Sequence, residues 1–254
     1  MPSLSQSKHV RALHRRKERS ARGEFLVEGP RVLEELLRTE RPVTLVLYTE
    51  AAEEEPGGRK LLDGVVAAGI PHELVSGSEL RRHADTVTPQ GWIAVAPVPR
   101  WSWSDFQTPD ILVLDAVQDP GNVGTLIRAA EALGASGVVV LPGTADPWSP
   151  KVVRATAGSS IRLPVLEVAW DEAATHLRTI GCAVWASAAD GDLLERGAMR
   201  AEGVALVLGN ESRGVSGTIR AAADRIVAIP MRGDAESLNA ALAGAILMDR
   251  LFGG

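Results

Sequence analysis

Apolar residues run along this chain in two alternating rhythms. Short unbroken runs, such as Val43 to Tyr48 and Ile111 to Leu114, read as buried strands. Apolar positions spaced three and four apart read as helices: Val32, Leu33, Leu36 and Leu37 over residues 31–39, and Leu126, Ile127, Ala130 and Leu133 over residues 122–133. In the first half the pattern predicts strands at 24–27, 43–48, 71–75 and 91–96. Helices are predicted at 31–39, 59–68 and 78–84, with an acidic loop at 51–58. Residues 97–109, with Pro97, Pro99 and Pro109, break the rhythm and read as a linker. In the second half the pattern predicts strands at 111–114, 137–141, 165–168, 183–187, 204–208 and 226–229. The helices between and after them are expected at 122–133, 151–156, 171–180, 216–222 and 237–251. Apolar strands separated by helices predict a parallel sheet covered on both faces. The expected division is a basic arm at 1–23, a small α/β domain at 24–96, the linker at 97–109 and a larger α/β domain at 110–254.

Composition adds exclusions. No apolar run approaches membrane-spanning length, and no apolar core follows the basic N-terminus, so no signal peptide or membrane helix is expected. The one cysteine, Cys182, lies in apolar surroundings and reads as a small buried hydrophobe. One cysteine rules out a disulfide scaffold and suits a reducing cytoplasm. The histidines lack metal-ligand spacing, so no metal is expected. Net charge is −5, but residues 1–23 hold seven lysines and arginines against Glu18 alone. Such a stretch is the electrostatic footprint of a phosphate-backbone partner, with Lys8, Arg11, Arg15 and Arg16 as the candidate contacts. It reads equally as a solvated tail.

Three polar turns follow three strands of the second half: Asp119 to Gly124, Gly209 to Gly214, and Pro230 to Asn239. In a parallel sheet they can converge on one crevice at the strand ends, the usual place for a nucleotide-like cofactor. The first turn has neither a Gly-x-Gly-x-x-Gly pattern nor a Walker lysine, which disfavours an ordinary dehydrogenase or P-loop enzyme. Asn122 reads as the cap of the helix that follows, six residues before Arg128, which places both near the mouth of the turn.

The motifs Asp119-Pro120-Gly121-Asn122-Val123-Gly124 with Arg128, Leu208-Gly209-Asn210-Glu211-Ser212-Arg213-Gly214, and Ile229-Pro230-Met231 with Glu236-Ser237-Leu238-Asn239 resemble the three signatures of the SpoU (TrmH-like) RNA ribose 2′-O-methyltransferases of the SPOUT superfamily. The resemblance spans about residues 110–254. Phe25-Leu26-Val27-Glu28-Gly29 and the segment after it look like the substrate-binding domain that precedes it, which is similar to ribosomal proteins that bind kinked RNA. The resemblance implies a C-terminal α/β domain tied in a deep trefoil knot, an exception to the no-knot rule. It also implies S-adenosyl-L-methionine as cofactor and a homodimer with no membrane association. Leu208, Gly209, Asn210, Ile229, Met231, Leu238 and Asn239 are the implied cofactor contacts. Asn122, Arg128, Glu211, Ser237 and Asn239 are the implied catalytic set, with Arg128 activating the ribose hydroxyl. A guanidinium stays protonated, so holding a phosphate or steadying an alkoxide is the easier role for Arg128. Glu211 is a candidate anchor for Arg128 or Arg213, or a plain surface carboxylate. Ser237 and Asn239 also suit capping of the last helix. Lys151, Arg154 and Arg213 are further candidate RNA contacts. The layout points to 23S rRNA. The alternatives are a tRNA ribose methyltransferase, a resistance-conferring rRNA methyltransferase and a non-catalytic RNA-binding or ribosome-assembly factor of the same fold.

Overall fold

The computed structural model describes residues 4–195, 203–231 and 238–252. In chain order the first elements are α1 (Leu4–Ala12), α2 (Arg16–Arg22), β1 (Glu24–Glu28), α3 (Pro30–Arg38), β2 (Leu45–Tyr48), α4 (Glu50–Glu54), α5 (Gly58–Ala67), β3 (His72–Leu74), α6 (Gly77–Arg81) and β4 (Trp92–Pro97). They are followed by β5 (Ile111–Asp115), α7 (Pro120–Ala132), β6 (Gly137–Val140), α8 (Pro150–Thr156), α9 (Ser159–Arg162), β7 (Val165–Glu167) and α10 (Trp170–Thr179). The last are β8 (Ala183–Leu193), β9 (Val204–Gly209), α11 (Gly217–Ala222), β10 (Arg225–Ala228) and α12 (Ala240–Leu251). The chain forms two compact units, one of Met1–Arg100 with Trp148–Arg162, the other of Trp101–Pro147 with Leu163–Gly254.

The first unit is built on a four-stranded sheet of order β1-β4-β2-β3. Strand β4 runs antiparallel to both β1 and β2, while β2 and β3 are parallel. Residues 4–22 are no free tail. Val10 and Leu13 are fully buried and join a core with Leu26, Leu47, Leu80 and Ile93. Arg19 is also buried, and its Nη1 donates to the carbonyls of Leu13 at 2.7 Å and His14 at 2.8 Å. The basic composition hid an amphipathic pair of helices whose apolar residues complete the unit. Leu13→Ala is therefore expected to cost about 2–5 kcal/mol of stability. Chemical denaturation checks this, and an unchanged midpoint would contradict the packing.

Helices α8 and α9 belong to this unit although they lie within the stretch expected to form the larger domain. Buried Val152 and Val153 give α8 an apolar face, and Trp148 packs its ring 5.1 Å from that of Phe25. Charge adds to the attachment. Arg154 reaches Glu28 at 3.1 Å and Asp85 at 2.8 Å, and Arg162 reaches Glu35 at 2.8 Å.

The second unit carries a six-stranded parallel sheet of order β10-β8-β9-β5-β6-β7. On one face Ile111, Val113, Val139 and Val207 pack with Ala173 and Leu177 of α10 and Ile219 of α11. On the other, Gly244 of α12 lies so near Leu126 of α7 and Leu208 of β9 that any side chain there would collide with them. Both faces are thus covered, as the apolar strands require. From β5 the chain moves outward to β6 and β7. It then crosses to β8 on the far side of β9, and from β9 passes to β10. The connections part between β5 and β9, and their carboxyl ends form the switch point of the sheet.

Candidate active site

Asp115 and Gly209 face each other across that switch point as the last paired residues of β5 and β9. Beyond Asp115 the chain turns sharply, with Ala116 in the left-handed region at φ 58°. Helix α7 then begins at Pro120. Its cap is Asp119, whose Oδ1 accepts from the amide of Asn122 at 2.8 Å. Asn122 is therefore not the cap. It is the third residue of the helix, and its side chain is left to bond elsewhere.

Its bonds link the three turns. The Asn122 Nδ2 donates to Glu211 Oε1 at 3.0 Å, and its Oδ1 accepts from Asn239 Nδ2 at 3.0 Å. Glu211 also accepts from the backbone amides of Gln118 and Asp119, each at 3.1 Å. Partial burial pushes the Glu211 pKa up, but these hydrogen bonds outweigh it and hold the carboxyl below its ordinary value. Asn239 caps α12 by accepting from the amides of Ala241 and Leu242 at 2.9 and 3.2 Å. Helix α12 thus starts three residues later than the spacing predicted, and Ser237 lies outside the described residues.

The second turn is closed by Asn210. Its Nδ2 donates to the Ala116 carbonyl at 2.9 Å, and its Oδ1 accepts from the amides of Ser212 and Arg213. A Cβ on Gly209 would run into the backbone of Gly214 and Val215. Gly209→Ala is therefore expected to lower stability by about 1–3 kcal/mol through overpacking. Thermal unfolding of the variant checks this, and an unshifted transition would contradict the close approach.

Behind the three turns lies a cleft of about 400 Å³. Gly209, Asn210, Ile229, Met231, Leu238 and Asn239 line it, with Asn122 and Glu211 at its rim. Leu208 does not line it, because its side chain is buried beneath α12. Ser187, Ala188 and Ala189 also line the cleft, because β8 extends to Leu193 rather than stopping at 187. Their small side chains leave room, and the run Ala186-Ser187-Ala188-Ala189 is the sequence signal for it. Among the described lining residues Glu211 alone is charged. The apolar side chains of Ile229, Met231, Leu238 and Leu247 in the cleft's described wall suit the apolar parts of a nucleoside-like ligand. S-adenosyl-L-methionine fits that lining.

Arg128 stands apart from the cleft. Six residues along an α-helix is a rise of about 9 Å and a rotation about a third of a turn away from Asn122. The guanidinium is exposed, with no hydrogen bond or ion pair to any described residue. Arg213 is exposed in the turn and does not pair with Glu211, whose oxygens serve Asn122 and the backbone. Lys151 is exposed on α8, whereas Arg154 is taken up by Glu28 and Asp85. Lys8, Arg11 and Arg16 are exposed on the two N-terminal helices, and Arg15 is exposed in the turn between them. Burial, then the charge of Asp110, pushes the Cys182 thiol up to about 12, so it is no nucleophile at neutral pH. Among the described residues no cluster of histidine, cysteine or carboxylate is arranged to hold a metal ion, and no helix is long and apolar enough to cross a membrane.

The model of the SpoU rRNA Methylase family matches residues 109–249. That of the MRM3-like substrate binding domain matches residues 5–94, which include both N-terminal helices. Over 246 residues the chain is 32% identical to the 23S rRNA (guanosine(2553)-2′-O)-methyltransferase RlmP of Bacillus subtilis (strain 168), covering 97% of this chain and 95% of that one. It is 33% identical to the 23S rRNA (uridine(2479)-2′-O)-methyltransferase of Streptomyces viridochromogenes, covering 93% and 85%. The crystal structure of the SpoU methyltransferase AviRb from Streptomyces viridochromogenes in complex with AdoMet superposes with a TM-score of 0.86 at 28% identity, over 97% of this chain and 96% of that one. With its three turns joined through Asn122 at the switch point of a parallel sheet, the chain belongs to the SpoU rRNA methylase family.

Proposed function

We propose that this chain transfers the methyl group of S-adenosyl-L-methionine to a ribose 2′-hydroxyl of 23S rRNA. The observation that carries the reading is the chain of hydrogen bonds from Glu211 through Asn122 to Asn239 at a cleft whose described wall includes Ile229, Met231 and Leu238. The 23S rRNA 2′-O-methyltransferases named among its relatives support the choice of substrate. When bound, the cofactor supplies a methyl carbon activated by a positively charged sulfur. Ile229, Met231 and Leu238 would hold its apolar parts.

The ribose hydroxyl is a weak nucleophile: as its oxygen bonds to the methyl carbon, the carbon–sulfur bond would break to leave a neutral thioether, and the hydroxyl proton would pass to solvent water. Both ends of the Asn122 amide are fixed, so one N–H remains to orient the ribose. Arg128 keeps its charge and steadies the alkoxide and the neighbouring phosphate from outside the cleft. Arg213 meets the backbone beside it, and the first unit selects the RNA.

We also propose a homodimer built on α12. Leu242 on that helix is a large apolar residue 59% exposed, which a second copy would cover. The trefoil knot implied by the family would tie the passage from β9 to α12, of which residues 232–237 lie outside those described. The reading places the protein in the cytoplasm with its rRNA. Product chemistry tests the reaction. After incubation with rRNA and methyl-labelled cofactor, alkaline hydrolysis is expected to leave the label in a dinucleotide, because a 2′-O-methyl group blocks cleavage there. Label released in mononucleotides would mean base methylation and overturn the proposal.

A further inference from the structure

We propose that the groove formed by α1 and α2 is a preformed cradle for the phosphate backbone of a base-paired RNA stem, an inference that rests on the RNA reading above. The groove encloses about 960 Å³, and Lys8, Arg11, Arg15 and Arg22 line it. All four side chains are exposed. The one acid among the groove's described lining residues, Glu18, lies 3.7 Å from Arg15 and 3.3 Å from Arg22, so it positions cations and leaves that lining net positive. Arg11 is steadied by donating its Nε–H to the Ser7 carbonyl at 3.3 Å.

Two features select the ligand. The cations sit on two helices and the turn between them, a backbone already anchored by fully buried Val10 and Leu13, so little backbone freedom is lost on binding. A tail of the same composition would have to be ordered first. The groove also offers no stacking platform. Among its described lining residues there is no phenylalanine, tyrosine or tryptophan, and His9 is held by Glu24 at 2.9 Å. Single strands are gripped by charge together with base stacking. Charge without stacking fits paired RNA, which proteins follow through its phosphates and shape. The cradle therefore contributes affinity for a stem of any sequence.

The test uses the full chain and two synthetic hairpins of arbitrary sequence with the same loop, one with a stem of about 12 base pairs and one of about 3, a difference that changes the number of phosphates in reach. Affinities are read by filter binding across a salt series. The wild type is expected to bind the long stem about tenfold more tightly at low salt. The variant Lys8→Gln/Arg11→Gln/Arg15→Gln is expected to lose that preference, with the slope of log K against log salt flattened by about 2–3. Arg15→Gln alone is expected to flatten it by about 0.7–0.9, which keeps the test open if the triple variant folds poorly. Lys60→Gln, at an exposed position on α5, is expected to leave the preference unchanged. An intact preference and slope in the groove variants, or an equal loss in Lys60→Gln, would overturn the cradle. Binding is read without methyl transfer, so the two proposals fail separately. A protein that prefers the stem but methylates nothing would sink the proposed reaction alone. One that methylates rRNA without a stem preference would sink the cradle alone.

Discussion

Arg128→Ala is expected to lower the rate of methyl transfer by about 10²–10³-fold or more, the usual effect of removing a group that stabilises a developing oxyanion. The fold has no stake in this side chain. It is exposed, it meets no described hydrogen-bond or ionic partner, and it lies in the interior of α7, where alanine is a better helix former than arginine. Nor does it line the cleft, so calorimetric affinity for S-adenosyl-L-methionine is expected to match that of the wild type. Arg128→Lys should recover only part of the rate, because an ammonium keeps the charge but lacks the planar fork that grips a phosphate. Near-wild-type turnover by Arg128→Ala would remove this residue from the chemistry.

Glu211→Gln should act through position rather than charge transfer. The carboxylate accepts from two backbone amides and from Asn122. A glutamine amide turns one of its two ends into a donor, so at least one of those N–H groups faces another N–H. Asn122 then loses its fixed orientation, and turnover is expected to fall about ten- to a hundredfold. The acid response provides a second readout. The folded-state pKa of Glu211 lies below its ordinary value of 4.5. The stability this group contributes is therefore fully present above the unfolded value and is lost as pH falls through the folded one. The gap in stability between wild type and Glu211→Gln should be constant at neutral pH and should close in acid, below about 4.5. Tryptophan fluorescence through denaturant titrations at several pH values measures it, and a gap that persists unchanged into strong acid would contradict the hydrogen-bonded carboxylate.

Much of this site is legible in the amino-acid sequence. Ile111 to Leu114, Val204 to Leu208 and Ile226 to Ile229 are short apolar runs, each ending in a polar turn, and a parallel sheet has to bring those turns to one edge. Asn122, Glu211 and Asn239 meet there, and six of the seven expected cofactor contacts line one cleft. Direction is harder to read from spacing. Six residues along the chain put Arg128 near Asn122, but helical rotation carries its side chain away. Asp119 takes the cap because Pro120 already starts the helix, which releases the Asn122 side chain for Glu211. Strand β8 continues past Ser187 as a run of small residues, where apolar patterning fades.

The N-terminal helices are hidden for a different reason. Their burial rests on few side chains, chiefly Val10 and Leu13, within a strongly basic stretch. Arg19 is buried as well, its guanidinium satisfied by the carbonyls of Leu13 and His14, so a charged residue takes a buried position that a hydrophobic pattern does not flag. Residues 148–162 are hidden because the pairing of Arg154 with Glu28 joins positions far apart in sequence, which no local pattern reports.

The most direct test of ribose methylation on 23S rRNA is transfer of labelled methyl from S-adenosyl-L-methionine to separate pools of unmodified 23S rRNA, 16S rRNA and tRNA. Wild type and Arg128→Ala are compared, and the labelled nucleotide is mapped. Label is expected at a ribose 2′-oxygen of 23S rRNA with the wild type and at background level with the variant. Transfer confined to tRNA or 16S rRNA, or no transfer to any pool by a wild-type protein that binds the cofactor, would contradict the proposed reaction.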